Sequence, residues 1–181
     1  MARRSTTLSP RLSWRQIDLA TRWIFPFALL VFGLFVIGMP FGVPGQAALR
    51  PVYAMGCVYF WSLYRPHSLP APLVAVGGLL LDLLGLSPFG LWAVLLLLLQ
   101  AVTLKLRQKL APAAFAYVWA GFAVLAAADT TLCWLISSAF NEVWLPLSPL
   151  FTECVWSIGL YPALAFMLIR AHRGLAALEH I

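Results

Sequence analysis

The sequence predicts an all-α integral membrane protein with about six transmembrane helices. Three observations support this fold class. Of the 181 residues, 62% are hydrophobic and 10% are charged, whereas soluble domains carry about 25% charged residues. The mean hydropathy is +0.90, and apolar stretches follow one another along most of the chain. This composition excludes a soluble enzyme, a disordered chain and a nucleic-acid-binding module.

The beginning of the chain differs from the rest because it is polar and basic. Residues 1–22 carry several arginines and Asp18 at helical spacing, which is typical of a short helix on a membrane surface. A frayed charged tail is the alternative. We expect this segment to be cytoplasmic, followed by a membrane domain over residues 23–171 and a cytoplasmic tail over residues 172–181.

Six apolar stretches make up the predicted membrane domain. They cover residues 23–42, 51–64, 72–86, 89–104, 113–140 and 147–169. Since a helix needs about 20 apolar residues to cross a bilayer core, the second and third stretches are short. They either borrow flanking residues or are tilted and partly shielded by neighbours. The second stretch is rich in aromatic residues, which suits a span anchored at the membrane interface.

The positions of the basic residues favour one orientation. If the N-terminus is cytoplasmic and all six stretches cross, eleven of the twelve Lys and Arg lie on the cytoplasmic side, and only Arg50 lies outside. Lys and Arg are concentrated in this way in cytoplasmic loops. Five crossings would place part of this charge on the wrong side. We therefore expect both termini in the cytoplasm, and we interpret the net charge of +6 as a record of topology.

Three acidic residues lie within the apolar stretches: Asp82, Asp129 and Glu153. A charge at a helix centre costs about 2.5–3.5 kcal/mol on insertion scales, so such residues usually face protein or a cavity. In the six-span topology all three lie in the outward half of their helices, on the same side as Arg50. They either line an outward pocket for a ligand, a cation or a partner's basic group, or bond to one another, to Arg50, or to hydroxyls and backbone of adjacent helices.

The sequence gives no sign of catalysis or of a cofactor. No His, Ser or Lys adjoins the three acids to complete an acid–base or nucleophilic set. The three histidines are scattered, so we expect no metal site. The three cysteines lie in apolar stretches without a C-x-x-C spacing, which indicates buried free thiols.

Two segments carry a resemblance to a known family. Residues 59–66 read Tyr-Phe-Trp-Ser-Leu-Tyr-Arg-Pro, and residues 78–90 read Gly-Leu-Leu-Leu-Asp-Leu-Leu-Gly-Leu-Ser-Pro-Phe-Gly. Together they resemble the MreD family of bacterial rod-shape-determining membrane proteins, which shows an aromatic stretch ending in Arg-Pro and then a Gly-Leu-x-x-Asp-Leu-x-x-Gly-x-x-x-Gly-like run. The residues that match this pattern are Trp61, Arg65, Pro66, Gly78, Asp82, Gly85 and Gly90.

The resemblance implies a non-catalytic scaffold of the complex that synthesises peptidoglycan during cell elongation and maintains rod shape. The implied partners are an MreC-like periplasmic protein, an MreB-like actin homologue, and a RodA-like glycosyltransferase with its transpeptidase, gathered at the lipid of the inner membrane. The implied fold is similar to that of the substrate-binding subunits of energy-coupling-factor transporters, with six helices and an outward pocket. The alternative function is a small-molecule-binding membrane subunit of a transporter.

The matching residues also have structural interpretations. Arg65 and Pro66 suit the end of a helix at the inner surface, because proline resists helix continuation and arginine favours the cytoplasmic face. Pro88 and Gly90 suit a tight turn between two spans. The aromatic residues near Trp61 are typical of an interface anchor or a packing surface.

Overall fold

The computed structural model describes residues 11–39, 46–85, 88–142 and 146–178. Within these ranges every regular element is an α-helix, and there are six. The helices are α1 (Arg11–Gly38), α2 (Gln46–Tyr64), α3 (Ala71–Gly85), α4 (Leu91–Leu110), α5 (Phe115–Asn141) and α6 (Ser148–Leu178). Each corresponds to one of the predicted apolar stretches.

Three of the described helices are long and apolar enough to cross a membrane. They are Leu91–Leu110, Phe115–Asn141 and the part of α6 over Ser148–Arg170. α3 has 15 residues, fewer than the ~20 that a span needs. α2 has 19 residues, but Gln46 and Arg50 make its first turns polar. Length and composition therefore support three spans rather than all six that the sequence predicted.

α1 runs through the predicted boundary between the N-terminal segment and the membrane domain. It begins at Arg11 and continues as one helix to Gly38, with Pro26 inside it. Residues 1–10 of the predicted basic segment and residues 179–181 of the predicted tail lie outside the described residues. The described part of the N-terminal segment is therefore helical and continuous with the first apolar stretch.

α2 lies at the centre of the bundle. It packs against each of the other five helices, and those five pair with one another in the order α1–α3–α4–α5–α6. All thirteen residues from Pro51 to Leu63 are buried. A helix surrounded by protein does not face lipid, so it tolerates polar groups that a lipid-facing helix avoids. The middle of α2 is therefore shielded from lipid by the other helices.

An aromatic cluster joins α2 to α5 and α6. The rings of Phe122 and Tyr161 stack with centroids 4.2 Å apart, and Tyr59 lies against both. The Tyr59 hydroxyl donates a hydrogen bond to the carbonyl of Val118 at 2.9 Å. Aromatic pairs of this kind contribute about 0.5–1.5 kcal/mol beyond their buried area. The cluster therefore fixes the α5–α6 pair on the central helix.

Hydrogen bonds at helix ends define two opposite ends of the bundle. At the first, which we call the Arg50 end, Arg50 in α2 donates to the carbonyls of Leu84 at 2.5 Å and Gly38 at 3.4 Å. At the second, the Arg107 end, Nε of Arg107 donates to the carbonyl of Leu63 at 3.1 Å. The carboxyl ends of α1 and α3 thus meet the amino end of α2, while the carboxyl ends of α2 and α4 meet at the other end. The first four helices therefore alternate in direction.

Candidate functional site

The Asp82 carboxylate caps the next helix. Its Oδ2 accepts a hydrogen bond from the backbone N–H of Gly90 at 2.9 Å, and its Oδ1 accepts one from the backbone N–H of Trp92 at 3.0 Å. The first N–H groups of a helix lack intrahelical partners, and a negative charge there is stabilised by the helix dipole. Asp82 is 2% exposed. Its carboxylate therefore bonds to the backbone of an adjacent helix, which is one of the roles that the sequence left open.

Gly78 lies one turn before Asp82 and allows α4 to approach closely. A Cβ at this position would lie 2.8 Å from the carbonyl carbon of Trp92 and closer still to the backbone of Ala93. Only glycine accommodates such an approach between two helix backbones. Gly78 and Asp82 therefore fasten α3 to α4 from successive turns of the same helix face.

The other residues that match the family pattern are dispersed. Trp61 is buried in the core, and the backbone N–H of Arg65 donates to its carbonyl at 2.8 Å, just beyond the end of α2. Arg65 and Pro66 are half-buried at this end. Gly90 has a φ of 94°, a left-handed conformation that glycine adopts without steric cost. Gly85 borders a cavity at the Arg50 end.

The cavity at the Arg50 end has a volume of about 530 Å³ and is bounded by residues of α2, α3, α4, α5 and α6. We call it the Arg50 cavity. Most of its wall is apolar and includes Leu81, Leu84 and Trp92. Its charged side chains are Arg50 and Glu153. The sequence analysis assigned Arg50 and Glu153 to the same side of the membrane. In the structure both residues line one cavity.

The Arg50 guanidinium is held by two helix ends. Its terminal nitrogens donate to carbonyls in the last turns of α3 and α1, where a cation is stabilised by the helix dipoles. Its Nε is buried and has no hydrogen-bond partner among the described residues. Because a guanidinium has five N–H donors, the side chain keeps donor capacity at the cavity wall.

Asp129 lies on α5 and Glu153 lies on α6, and these two helices pack against each other. Glu153 and Cys133 line the Arg50 cavity, whereas Asp129 is not among its lining residues. Asp129 is 3% exposed. One oxygen of each carboxyl is buried without a hydrogen-bond partner in the described part of the chain. Within the same residues, no three His, Cys, Asp or Glu side chains converge as metal ligands.

A second cavity lies between α1 and α6. These helices both pack on α2 but do not contact each other within the described residues. The space between them is about 360 Å³, and its wall is entirely apolar, with Phe32 from α1, Val52 from α2 and Met167 from α6. We call this space the α1/α6 seam. Sequence reasoning missed it, because no local pattern reports which two helices fail to meet.

Comparison with known proteins adds no relative. No protein-family model, curated protein or solved structure matches this chain. The geometry of the bundle and the resemblance of the two segments are therefore the grounds on which a function is proposed.

Proposed function

We propose that this chain is a non-catalytic scaffold subunit of the bacterial cell-elongation complex and a member of the MreD family. In this role it holds an MreC-like periplasmic protein next to a RodA-like glycosyltransferase and its transpeptidase in the inner membrane. The observation that carries the proposal is the α1/α6 seam, an apolar groove that leads to the central helix and that no described part of the chain fills.

The proposed membrane arrangement has six crossings with both termini in the cytoplasm. The alternating direction of the first four helices supports it. α2 packs against all five other helices, and the Arg50 guanidinium in its polar first turns is bonded to the carbonyls of Leu84 and Gly38. The short α3 lies against α1, α2 and α4, which shield it. The Arg107 end, which also carries Lys105 and Lys109, faces the cytoplasm in this arrangement, as the positive-inside rule requires.

The seam suits a single membrane helix of a partner. Helices associate within lipid through close packing rather than through the hydrophobic effect, so a groove with complementary shape is what a partner helix needs. Gly159 and, four residues later, Ala163 lie on the exposed face of α6, and each directly precedes a residue that lines the seam, Leu160 and Leu164. A Cβ at Gly159 would have nothing within 4 Å. Internal packing therefore does not require glycine here, whereas a partner backbone that approaches closely would.

The α5–α6 pair offers further surface for docking. Only 22% of the apolar window of each helix is buried, against 44% for α4. The exposed side chains include Phe140, Val155 and Phe166. A scaffold that gathers several membrane proteins needs lateral surface of this kind. Its mechanism is positioning, because partners that bind the same bundle are held near one another. The bundle itself carries out no chemical step.

A small-molecule-binding subunit of a transporter is the second candidate function. The Arg50 cavity favours it, because a volume of about 530 Å³ lies within the range of about 300–1,000 Å³ typical of small-molecule sites. The two candidates predict different partners in the membrane, so they are separated by what the chain purifies with.

Affinity purification of the tagged chain from its own membranes, followed by mass spectrometry, tests the proposal. The scaffold function predicts recovery of MreC-like and RodA-like proteins, and loss of rod shape when the chain is depleted. Gly159→Leu is expected to reduce that recovery while the protein level stays unchanged. Val94→Leu is the matched control, since Val94 is 62% exposed on α4 and away from the seam. Recovery of an ATPase pair, together with normal shape after depletion, would support the transporter function instead.

A further inference from the structure

We infer that the Arg50 cavity binds a small zwitterionic group that carries an anionic phosphate or carboxylate and a primary ammonium. The cavity combines a mostly apolar wall with a few polar groups of both signs, which is the usual composition of a small-molecule site. This site is separate from the α1/α6 seam, so binding there does not depend on the scaffold function, whereas a lipid source of the ligand rests on the proposed six-span arrangement.

Arg50 supplies the anion-binding half of the site. The guanidinium fork matches the oxygen geometry of phosphate and carboxylate. The carbonyls of Leu84 and Gly38 already hold the side chain in place, so little side-chain freedom remains to be lost when an anion binds. The buried Nε has no partner in the described residues and is a donor that an anion would satisfy.

Glu153, the acidic residue among the residues that line the cavity, supplies the cation-binding half. Its Oε1 is buried and has no hydrogen-bond partner among the described residues. Burial of an unpaired carboxylate is costly. A primary ammonium has three donors, so one such group placed at Glu153 would supply the missing hydrogen bond.

The remaining wall accommodates the body of the ligand. Trp92 contributes an indole ring beside two leucines, Leu81 and Leu84, and an indole face also attracts an ammonium. Arg50 lies in the second turn of α2, about 6 Å from its first residue at 1.5 Å per residue. In the six-span arrangement this depth is close to the lipid headgroups. The zwitterion therefore comes either from an ethanolamine lipid headgroup or from a free solute of the same chemistry.

Binding is measured as the rise in the thermal unfolding temperature of the purified 181-residue chain in detergent. The probes are a short-chain phosphatidylethanolamine, a phosphatidylglycerol of the same chain length and free O-phosphoethanolamine. A rise with phosphatidylethanolamine that exceeds the rise with phosphatidylglycerol is expected for a lipid source. A rise with O-phosphoethanolamine is expected for a soluble source. If neither ethanolamine probe raises the temperature more than phosphatidylglycerol does, the inference is overturned.

Two variants locate the binding. Glu153→Gln preserves the shape of the side chain and removes the anion, so it is expected to raise the Kd of the ethanolamine probe about tenfold or more. Glu142→Gln is the matched control, because Glu142 is exposed at the end of α5 and should bind like the parent chain. Ala48→Leu fills the cavity without changing charge and should abolish binding, even if Glu153→Gln fails to fold. Parental affinity in Ala48→Leu would contradict the assignment of the site.

Discussion

Asp82 and Trp92 lie on consecutive helices and are joined by a hydrogen bond in which the backbone N–H of Trp92 donates to Oδ1 of Asp82 at 3.0 Å. The other carboxylate oxygen accepts from Gly90, the left-handed residue that precedes α4. One side chain thus closes the α3–α4 hairpin and satisfies two backbone donors at the start of a helix. Asp82 lies within an apolar stretch, and both of its carboxylate oxygens are already bonded to backbone N–H groups of the protein.

Replacement of Asp82 by alanine is expected to lower the free energy of unfolding by about 2–3 kcal/mol, since the buried N–H of Trp92 and the partly buried N–H of Gly90 lose a charged acceptor. Asp82→Asn keeps one acceptor oxygen and should lose less. Detergent-titrated unfolding followed by circular dichroism measures both. Glu142→Ala, at an exposed position, should change the value by less than about 0.5 kcal/mol. Parental stability in Asp82→Ala would show that the carboxylate does not cap α4.

Gly78→Ala is expected to destabilise the chain by about 1–3 kcal/mol, because a methyl group there meets the α4 backbone and the two helices must separate. Gly159→Ala is the matched control. Its Cβ would meet nothing within 4 Å, and alanine is the better helix former, so stability should be equal or higher. Thermal unfolding of the two variants in the same detergent gives the comparison. Equal losses in both would contradict the assignment, because they would show that the close approach of α4 to Gly78 is not the cause of the loss.

The proposed topology predicts which residues are accessible from each side of the membrane. A cysteine placed at Glu142 should react with an impermeant maleimide added to intact cells, because the connection after α5 lies outside. A cysteine placed at Lys105 should react only after the membrane is permeabilised. Both positions are exposed in the bundle, so burial does not explain a difference between them. The reverse pattern of labelling would invert the proposed orientation.

Much of the helical arrangement was predictable because apolar runs and helix breaks are local features. The stretch predicted over residues 113–140 corresponds to α5 at Phe115–Asn141, and the stretch over 72–86 to α3 at Ala71–Gly85. The start of α2 was placed at residue 51 but lies at Gln46. The hydropathy pattern did not include this turn because Arg50 is charged. In the structure the Arg50 guanidinium donates hydrogen bonds to carbonyls at the ends of α1 and α3, and these partners are remote in sequence.

The candidate sites were less accessible to sequence reasoning. The sequence singled out the three intramembrane acids by their cost in lipid, but it could not show that Asp82 bonds to α4 whereas Glu153 borders a cavity. That difference depends on how tightly each helix packs against its neighbour. Gly78, four residues before Asp82, is a signal of close approach that favours the bonded arrangement. The α1/α6 seam has no local signal, because it arises from two helices that are far apart along the chain.

The most direct test of the scaffold function is a photo-crosslink from the seam in living cells. A photoreactive amino acid at Val36, which lines the seam, is expected to crosslink to the membrane segment of a single-pass, MreC-like protein. The same amino acid at Val94, exposed on α4, is the control and should not. Crosslinking of Val36 to that partner, identified by mass spectrometry, is the predicted result. Crosslinking of Val36 to lipid alone, or equal capture of the partner from both positions, would contradict the account.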